Sequence, residues 1–271
     1  MKKYSTVLTI AGSDSGGGAG VQADIKTISA CGCYAASAIT AITVQNTLGV
    51  TGVHAVPVET LSDQIEAVLS DIGADAVKIG MLHSSEVVKA VAAKLAEHKI
   101  TNIVLDPVMV STSGHKLIED SAIETLMEVL IPMARVITPN IPEAEILLGG
   151  QKLTCQDELP EAAKTLAKKF GVSVLLKAGH LTEDKLVDIF YDNETDTTHF
   201  LPSVRIYTKN THGTGCTMSS AFASMLAKGK DIVSAAEGAK NFINDAIVAG
   251  ADYEIGHGFG PVCHFHKFWE K

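Results

Sequence analysis

The sequence predicts an α/β fold in which a central, mostly parallel sheet carries helices on both faces. Apolar, β-branched runs alternate along the chain with segments whose apolar residues recur at helical spacing, a pattern typical of parallel strands joined by right-handed helical crossovers. Hydrophobic residues make up 46% of the chain and aromatic residues only 5%. Small and branched aliphatic side chains must therefore fill the core, as they do in sheets that are covered on both faces.

The first predicted unit is a strand, a glycine-rich loop and a helix. Residues 5–11 form a β-branched run, residues 12–20 contain the glycines, and helical spacing of apolar residues begins near Gly20. The glycines lack the GxGxxG spacing of dinucleotide-binding folds, which disfavours a nicotinamide oxidoreductase, and the chain has no GxxxxGK phosphate loop. We interpret the loop as a place where the backbone approaches a ligand closely, with a purely structural turn as the alternative.

The same alternation continues to the end of the chain. Strands are predicted at residues 38–46, 76–81, 103–106, 135–137 and 172–177, and a hairpin at residues 186–191 and 198–204. Helices are predicted at about residues 59–71, 84–98, 119–130, 142–148, 157–170, 215–227 and 232–251. Since no linker, low-complexity block or internal repeat interrupts the pattern, we predict a single domain over residues 1–271.

Charge and composition argue against several classes of protein. Lys and Arg number 22 and Asp and Glu 31, which gives a formal charge of −9 and argues against a nucleic-acid partner. No apolar run reaches the roughly 20 residues of a membrane span, and the N-terminus lacks a signal-type segment. The five cysteines are an odd number and are scattered, so they do not indicate a disulfide framework. We expect a cytoplasmic protein without a membrane partner.

Residues 210–217, with the sequence NTHGTGCT, form the strongest candidate for a functional site. Polar residues and two glycines that lead into an apolar-periodic helix can gather backbone N–H groups around an anion, which suggests phosphate handling. The positive end of the helix dipole also lowers the pKa of a thiol, so Cys216 could serve as a base. The alternative is a glycine-rich loop with a small buried cysteine.

Polar residues also end successive predicted strands, where open α/β sheets bind ligands. Asp106 follows one strand, and Asn140 and Glu143 lie three apart at the start of a helix, so their oxygens suit magnesium. The alternative for Glu143 is an ordinary first-turn helix acid. Lys177 ends an apolar strand, where a cation costs desolvation energy unless it meets an anion such as a nucleotide phosphate.

Two further residues are candidate substrate contacts. Asp24 falls in the first turn or so of the first predicted helix. It is either a helix-start acid or a carboxylate that faces the same cavity as the glycine loop. Gln45 ends the next strand with an amide that both donates and accepts, although such residues are also common in turns.

Taken in order, several segments closely resemble hydroxymethylpyrimidine/phosphomethylpyrimidine kinase, a family of the ribokinase-like superfamily that serves thiamine biosynthesis. They are Ala11-Gly12-Ser13-Asp14 with the glycine cluster, Gln45-Asn46-Thr47, Lys78-Ile79-Gly80-Met81, Leu105-Asp106-Pro107-Val108-Met109, Thr138-Pro139-Asn140-Ile141-Pro142-Glu143-Ala144 and Asn210-Thr211-His212-Gly213-Thr214-Gly215-Cys216. The match runs from residue 5 to the tail at residues 256–261. One departure is Gly16, which stands where serine is usual. The resemblance implies the ribokinase-like fold and a homodimer.

The resemblance implies how a small-molecule substrate and catalysis would be served. Asp24 and Gln45 would pair with the ring nitrogens and amino group of a pyrimidine, and Gly12 and Met81 would line its pocket. Cys216 would occupy the place where most superfamily members carry an aspartate base. It would take a proton or only help to shape the anion hole. The catalytic set implied in this way is Gly213, Thr214, Gly215, Cys216 and Lys177.

The resemblance also implies ATP and Mg²⁺ as cofactors. Lys177 would neutralise the nucleotide phosphates, and Asp106 and Glu143, together with Asn140, would organise the metal and its waters. Thr211 and His212 lie beside the anion hole and are assigned to the nucleotide. His212 would either orient a phosphate or only pack.

The implied activity is ATP-dependent phosphorylation of 4-amino-5-hydroxymethyl-2-methylpyrimidine and then of its monophosphate. One alternative is a pyridoxal or pyridoxine kinase, but such offshoots tend to carry a cysteine in the loop after the Asp-Pro-Val-Met segment, and residues 110–116 have none. A second alternative is a non-catalytic pyrimidine-binding relative. Decay of that kind should first remove Cys216, Lys177 or Glu143, and all are present.

Overall fold

The computed structural model describes residues 2–109 and 118–269 of the chain. Its strands are β1 (Thr6–Asp14), β2 (Tyr34–Asn46), β3 (Gly49–Ala55), β4 (Ala76–Ile79), β5 (Ile103–Leu105), β6 (Val136–Ile137), β7 (Ser173–Leu176), β8 (Lys185–Asp192) and β9 (Thr197–Val204). Its α-helices are α1 (Gly20–Ala30), α2 (Val58–Asp71), α3 (Ser85–Glu97), α4 (Asp120–Thr125), α5 (Ile141–Leu147), α6 (Leu159–Phe170), α7 (Thr214–Ala227) and α8 (Ile232–Gly250). Strands and helices therefore alternate as predicted, and the predicted hairpin is formed by β8 and β9.

All of these strands belong to one sheet, in the order β3-β2-β1-β4-β5-β6-β7-β8-β9. From β2 to β7 every neighbouring pair is parallel, which confirms the predicted mostly parallel sheet. β3 is antiparallel to β2 at one edge, and the β8–β9 hairpin adds antiparallel strands beside β7 at the other. The carboxyl ends of the parallel strands consequently share one edge of the sheet, where ligands of such folds bind.

Helices cover both faces of the sheet, as predicted. On one face, α2 to α6 pack on the sheet through aliphatic side chains such as the fully buried Leu61 and Leu166. On the other face, α1, α7 and α8 contribute Ile28, Phe222 and Phe242 to a second core. α7 lies across β1, β4 and β5, which places its N-terminus near the middle of the ligand-binding edge.

The first strand is longer than predicted. β1 continues through Ser13 and Asp14, which pair with Ile42 and Thr43 of β2 beyond a bulge after Ala11. Hydrogen bonds to a strand that is distant in sequence hold this part of the glycine loop extended. Local composition does not reveal that pairing, which is why the sequence predicts a loop from residue 12 onward.

Two other segments differ from the prediction. β3 is a strand that the sequence does not predict, because glycines interrupt its β-branched residues Val50, Thr51 and Val53, and it forms by pairing with β2 at the sheet edge. The helix predicted over residues 119–130 is divided: α4 is followed by a π-helical turn over Leu126–Leu130 and a 3₁₀ turn over Ile131–Met133. Pro132 within that last turn has no backbone N–H to continue a helix. The cysteine-free loop over residues 110–116 lies outside the described residues.

Within residues 2–109 and 118–269, no helix is long and apolar enough to span a bilayer.

Candidate active site

A cavity of about 940 Å³ opens at the carboxyl edge of the parallel strands. Residues at or just beyond the ends of β1, β2, β4, β5 and β7 form its wall, together with the first turns of α5 and α7. The predicted site residues on this wall are Gly12, Gln45, Met81, Asp106, Asn140, Glu143, Lys177, Thr211, His212, Gly213, Thr214, Gly215 and Cys216. The structure thus brings together every predicted site residue except Asp24.

The N-terminus of α7 forms the floor of this cavity. Gly213 precedes the helix with φ +79, and a β-carbon at this position would lie only 1.8 Å from the carbonyl oxygen of Gly18. Only glycine allows the two glycine-rich segments to approach so closely. The first N–H groups of a helix have no acceptor within the helix. The N–H of Thr214 donates to the carbonyl oxygen of Thr211 at 3.3 Å. The N–H groups of Gly215 and Cys216 can therefore donate to an anion in the cavity.

Lys177 and Asp106 form an ion pair beside this helix terminus. Lys177 Nζ donates to Asp106 Oδ1 at 2.9 Å, and the Thr138 hydroxyl donates to the same oxygen at 3.0 Å. A β-carbon at Gly215 would lie 3.2 Å from Lys177 Nζ, so the cation sits at the positive end of α7. Burial opposes both charges. Lys177 and Lys78 nevertheless lower the pKa of Asp106. Asp106 and Glu143 likewise raise the pKa of Lys177. Both groups are ionised at neutral pH.

Asn140 and Glu143 form a capping box at the start of α5. The Asn140 side chain accepts from the Glu143 N–H at 2.9 Å, and Glu143 Oε2 accepts from the Asn140 N–H at 2.8 Å. The Asn140 oxygen is thus occupied by the helix, which argues against its direct contact with a metal. Burial, reinforced by Asp106 and opposed by Lys177, raises the pKa of Glu143 to about 7.

The donor set of this corner fits a divalent cation. The carboxylates of Asp106 and Glu143 belong to one cluster, since Asp106 raises the pKa of Glu143 and Lys177 acts on both groups. Carboxylate oxygens are the ligands that Mg²⁺ prefers in proteins. These two side chains could hold the ion, and no third acidic residue is needed because Mg²⁺ keeps most of its waters.

Cys216 does not have the lowered pKa that its position at a helix N-terminus predicts. Burial raises the pKa of its thiol to about 11, and the carboxylates of Asp24 and Asp106 raise it further. Lys78 and an N–H donated by Gly20 act in the opposite direction and are outweighed. The expectation of a thiolate at neutral pH is therefore wrong for the unliganded site, since desolvation exceeds the effect of the helix dipole.

Asp24 does not face the cavity, contrary to prediction. It is fully buried and its carboxylate oxygens lie 2.9 Å from Lys78 Nζ, so the two side chains form a buried ion pair. The hydroxyls of Thr9 and Ser220 donate to the same carboxylate at 2.6 and 2.8 Å. A buried cation requires a buried anion, and Lys78 is the partner that holds Asp24 away from a substrate. The predicted pairing of Asp24 with a pyrimidine is corrected on this ground.

The remaining substrate-side residues share one wall of the cavity. A β-carbon at Gly12 would lie 3.0 Å from the sulfur of Met81, so this glycine leaves room for the Met81 side chain beside the cavity. Gln45 lies at the end of β2, with its amide close to His212. The three residues line the cavity, and their assignment to a substrate remains a prediction.

His212 is tied to the glycine loop. Its Nε2 lies 2.8 Å from Asp14 Oδ2, and Asp14 also accepts from the backbone N–H groups of Gly16, Gly18 and Ala19. This arrangement places His212 on the Gln45 side of the cavity, where it holds the loop against the anion hole. Thr211 lines the cavity beside it, and its assignment to the nucleotide remains a prediction.

Part of the cavity wall is apolar. The residues Met218, Val204, Ile206, Ile243, Ile247 and Val248, from α7, the end of β9 and α8, form this part. A buried ion pair between Lys240 of α8 and Asp188 of β8, 2.7 Å apart, also lines the cavity. An apolar slot with a few polar groups can take a flat ring system such as a nucleobase.

Sequence reasoning missed two residues of the site, Asp14 and Lys78. Lys78 lies within a fully buried apolar strand, which is the same signal that identified Lys177. Asp14 carried a weaker signal, since a carboxylate that precedes three glycines can accept several loop N–H groups. Neither was assigned a role because their partners, His212 and Asp24, are distant in the sequence.

Known proteins resemble this chain over nearly its whole length. A family model described as phosphomethylpyrimidine kinase matches residues 14–263. A hydroxymethylpyrimidine/phosphomethylpyrimidine kinase of Rhizobium meliloti is 48% identical over 263 residues, which cover 97% of this chain and 98% of that protein. The crystal structure of phosphomethylpyrimidine kinase from Clostridium difficile 630 is 42% identical with a TM-score of 0.78, and the match covers 89% of this chain and 99% of that one. An ADP complex of Bacillus subtilis pyridoxal kinase is 37% identical with a TM-score of 0.88, over 97% of this chain and 98% of that one.

Proposed function

This chain belongs to the phosphomethylpyrimidine kinase family, and we propose that it transfers the terminal phosphoryl group of ATP to 4-amino-5-hydroxymethyl-2-methylpyrimidine and then to the resulting monophosphate. The diphosphate formed in this way serves thiamine biosynthesis. One observation carries the proposal: the N-terminus of α7, the Lys177–Asp106 pair and Glu143 converge on a single cavity whose two ends suit a small polar ring and a nucleoside.

Phosphoryl transfer requires in-line positioning and neutralisation of charge more than covalent help. The N–H groups of Gly215 and Cys216 would donate to the transferred group, and Lys177 adds a full positive charge beside them. The position of the Lys177 charge is fixed before substrate arrives, because Lys177 donates to Asp106 and Thr138 holds the same carboxylate in place. Such preorganised charge stabilises the transition state without reorganisation during the reaction.

Asp106 and Glu143 would hold Mg²⁺ through their carboxylates. The ion would supply positive charge that neutralises the phosphates of ATP. Glu143 would lose its proton when the ion binds. Burial raises its pKa to about 7, and a bound cation would favour the carboxylate.

Cys216 is the side chain best placed to receive the proton of the substrate hydroxymethyl group in the first step. Lys78 and the Gly20 N–H stabilise its thiolate, so the small ionised fraction would be the reactive form. In the second step the acceptor is a phosphate that is already ionised at neutral pH, and little proton transfer is required. The base role of Cys216 belongs to this proposal.

The experiment that tests the proposal measures ATP consumption by the purified protein with the aminopyrimidine, its monophosphate and pyridoxal in parallel. We expect turnover of both pyrimidine substrates and a lower kcat/KM for pyridoxal. Pyridoxal is included because a pyridoxal kinase shares the fold. Failure to phosphorylate either pyrimidine would overturn the proposal, and a preference for pyridoxal would replace it with the alternative activity.

A homodimer also belongs to the proposal. Ile42 and Val44 lie on the same face of β2 and are 50% and 62% exposed, and Leu48 in the following turn is 67% exposed. Apolar side chains beside an edge strand favour association with another chain. Light scattering coupled to size-exclusion chromatography would report twice the mass of the chain if the proposal is correct.

We place the protein in a reducing compartment such as the cytoplasm. Each of its cysteines, Cys31, Cys33, Cys155, Cys216 and Cys263, is a free thiol. Free thiols are the usual state of proteins that remain where glutathione keeps cysteines reduced.

A further inference from the structure

The Gln45 amide lies on the cavity wall between two groups that constrain its orientation. At one end, Gln45 Oε1 is 3.0 Å from the Thr43 hydroxyl, and at the other, Gln45 Nε2 is 3.4 Å from His212 Nε2. The two ends of a glutamine amide have nearly the same shape but opposite hydrogen-bonding character. The partners therefore decide which end carries the oxygen.

The Thr43 hydroxyl favours the NH₂ end of the amide. Its oxygen lies 2.7 Å from the carbonyl oxygen of Ser13, and a carbonyl can only accept. The single hydroxyl proton is consequently committed to Ser13, and the hydroxyl has only acceptor capacity left for Gln45. A Gln45 oxygen at this place would oppose the lone pairs of Thr43, whereas the NH₂ group would donate to them.

His212 independently favours the oxygen end of the amide at the other position. Its Nε2 lies 2.8 Å from Asp14, whose pKa is lowered because hydrogen bonds from His212 and the loop N–H groups outweigh burial. An ionised carboxylate can only accept, so His212 Nε2 carries a proton and donates. An NH₂ group of Gln45 beside this N–H would place two donors together, and a rotation of the amide by about 180° removes the conflict at both ends.

We propose that Thr43 and the Asp14–His212 pair lock the Gln45 amide with its oxygen toward the anion hole and its NH₂ group toward Thr43, and that this orientation selects a 4-aminopyrimidine over pyridoxal. The anion-hole end is defined by His212, which directly precedes Gly213. The inference rests on the proposed function, because it concerns how the same cavity distinguishes two classes of substrate. Thr43 and His212 act here as positioning residues, since they act through Gln45.

The chemistry of the two rings explains the selection. In 4-amino-5-hydroxymethyl-2-methylpyrimidine, the carbon beside the hydroxymethyl group carries an amine, and a ring nitrogen follows. With the hydroxymethyl group at the anion hole, the amine donates to the Gln45 oxygen and the ring nitrogen accepts from the Gln45 NH₂ group. Pyridoxal carries an aldehyde oxygen and then a hydroxyl at the same two positions. Its aldehyde would face the amide oxygen, and a site that pairs hydrogen bonds rejects such a mismatch strongly.

Thr43→Val is the variant that tests the lock, and Thr43→Ser is its matched control. Valine keeps the β-branched shape of this nearly buried strand residue but removes the hydroxyl, so the amide can rotate. We expect the ratio of kcat/KM for the aminopyrimidine to kcat/KM for pyridoxal to fall about tenfold, mainly through KM, as loss of one oriented hydrogen bond implies. Where pyridoxal turnover is too slow to measure, its inhibition constant against the aminopyrimidine takes its place in the ratio. Thr43→Ser should keep the wild-type ratio.

An equal loss for both substrates in Thr43→Val would overturn the lock and leave Thr43 with a purely structural role. The wild-type protein offers a second measurement in case the variant does not fold. An analogue with a 4-oxo group presents a carbonyl and a ring N–H, the reverse of the aminopyrimidine, and should lose kcat/KM by at least about a hundredfold. A loss of less than about a hundredfold would contradict a fixed amide.

These outcomes separate the lock from the proposed function. Turnover of both pyrimidines with an unchanged substrate ratio in Thr43→Val would overturn the lock alone. Absence of pyrimidine turnover in the wild-type protein would overturn both.

Discussion

At the scale of single residues, Cys216 presents an electrostatic conflict. The helix N-terminus, Lys78 and the Gly20 N–H favour its thiolate, while burial and the carboxylates of Asp24 and Asp106 favour the thiol. The thiol prevails at neutral pH because its pKa is raised to about 11. A base with this pKa works through a small ionised fraction that grows about tenfold for each pH unit.

Cys216→Ala should therefore affect the two phosphorylation steps differently. We expect the first step to slow by about a hundred- to ten-thousandfold, which is the usual size of a general-base contribution, and the second step to slow much less. In the wild type, the first step should accelerate with pH between 7 and 9, and this slope should disappear in the variant. Rapid-quench assays of each step across this range provide the measurement.

Cys155→Ala is the matched control for this experiment. Cys155 is exposed and is absent from the cavity wall, so both rates should match those of the wild type. An equal loss in the two steps of Cys216→Ala, with no change in pH slope, would leave Cys216 as a structural part of the anion hole.

Glu143 links stability to metal binding at the same scale. The pKa of Glu143 is about 7 in the folded chain, compared with 4.5 for an unperturbed glutamate. A raised pKa means that the folded state binds the proton more tightly, so this contribution to stability is complete below pH 4.5 and is lost as pH rises through 7. Ionised Glu143 is thus a cost to the folded protein in the absence of a cation.

Glu143→Gln should stabilise the folded chain at pH 8 by an order of 1 to 3 kcal/mol, since it removes a buried charge and retains the capping oxygen. At pH 4 the two proteins should be equally stable. The wild type should gain melting temperature from Mg²⁺ at pH 8, and the variant should not, with loss of Mg²⁺-dependent turnover. Thermal melts at both pH values with and without the metal provide the test.

Glu145→Gln serves as the control on the same helix. Glu145 is paired with the exposed Lys152 and its pKa is lowered by that side chain, so its replacement should not raise stability at pH 8. A Glu143→Gln variant that is less stable than the wild type at pH 8 would contradict the assigned cost of the buried carboxylate.

At the scale of elements, the C-terminal tail connects two parts of the site. The N–H of Phe259 donates to the carbonyl oxygen of Thr47 at 2.9 Å, next to the substrate-side end of β2. One residue later, the carbonyl oxygen of Gly260 accepts from the N–H of His212 at 3.0 Å, next to the anion hole. The tail thereby connects the end of β2, which carries Gln45, to the segment that precedes α7.

Gly258→Ala should loosen this connection. A β-carbon at Gly258 would lie 1.9 Å from the carbonyl oxygen of Thr47, so the tail must move away from β2. We expect a loss of about 1 to 3 kcal/mol in the free energy of unfolding and an increase of about tenfold in KM for the pyrimidine, with a smaller change in KM for ATP. Chemical denaturation and steady-state kinetics measure the two effects.

Gly52→Ala is a suitable control for the tail variant. It lies on the edge strand β3, and a β-carbon there would meet Val44 at an ordinary contact distance of 3.4 Å. Stability and both KM values should be close to those of the wild type. If Gly258→Ala behaves in the same way, the tail is not a determinant of site geometry.

At the scale of the whole molecule, the prediction of a single domain has a thermodynamic consequence. One continuous sheet passes through both halves of the chain, and each of its faces supports a helical layer. We expect thermal unfolding in one cooperative transition, with the same midpoint by circular dichroism and by calorimetry. ADP with Mg²⁺ should raise that midpoint as a whole, because ligand binding to the native state stabilises every part that unfolds with it.

Two separate transitions would contradict the single-domain prediction. A ligand that raises the midpoint of only one of two transitions would also contradict the prediction. Trp269 should not serve as the probe, because this sole tryptophan is 60% exposed near the C-terminus and does not report on the core.

Much of this architecture is predictable from local pattern. The strand and helix periods of the chain predict the parallel sheet and its two helical layers, because each element must bury an apolar face. The polar ends of β5 and β7 predict that Asp106 and Lys177 meet, because the carboxyl ends of parallel strands share an edge. Local pattern does not predict β3 or the last residues of β1, because these segments become extended by pairing with β2.

What the sequence alone determined is the alternation of elements and most of the residues at the ligand-binding edge, although it wrongly included Asp24 and missed Asp14 and Lys78. Only the tertiary structure decided how the charges of those residues are used. Asp24 is occupied by Lys78, Asp14 holds His212, Glu143 has a raised pKa, and Cys216 remains a thiol. The physical reason is that desolvation and ion pairing depend on distances in space, whereas periodicity and helix position depend only on neighbours along the chain.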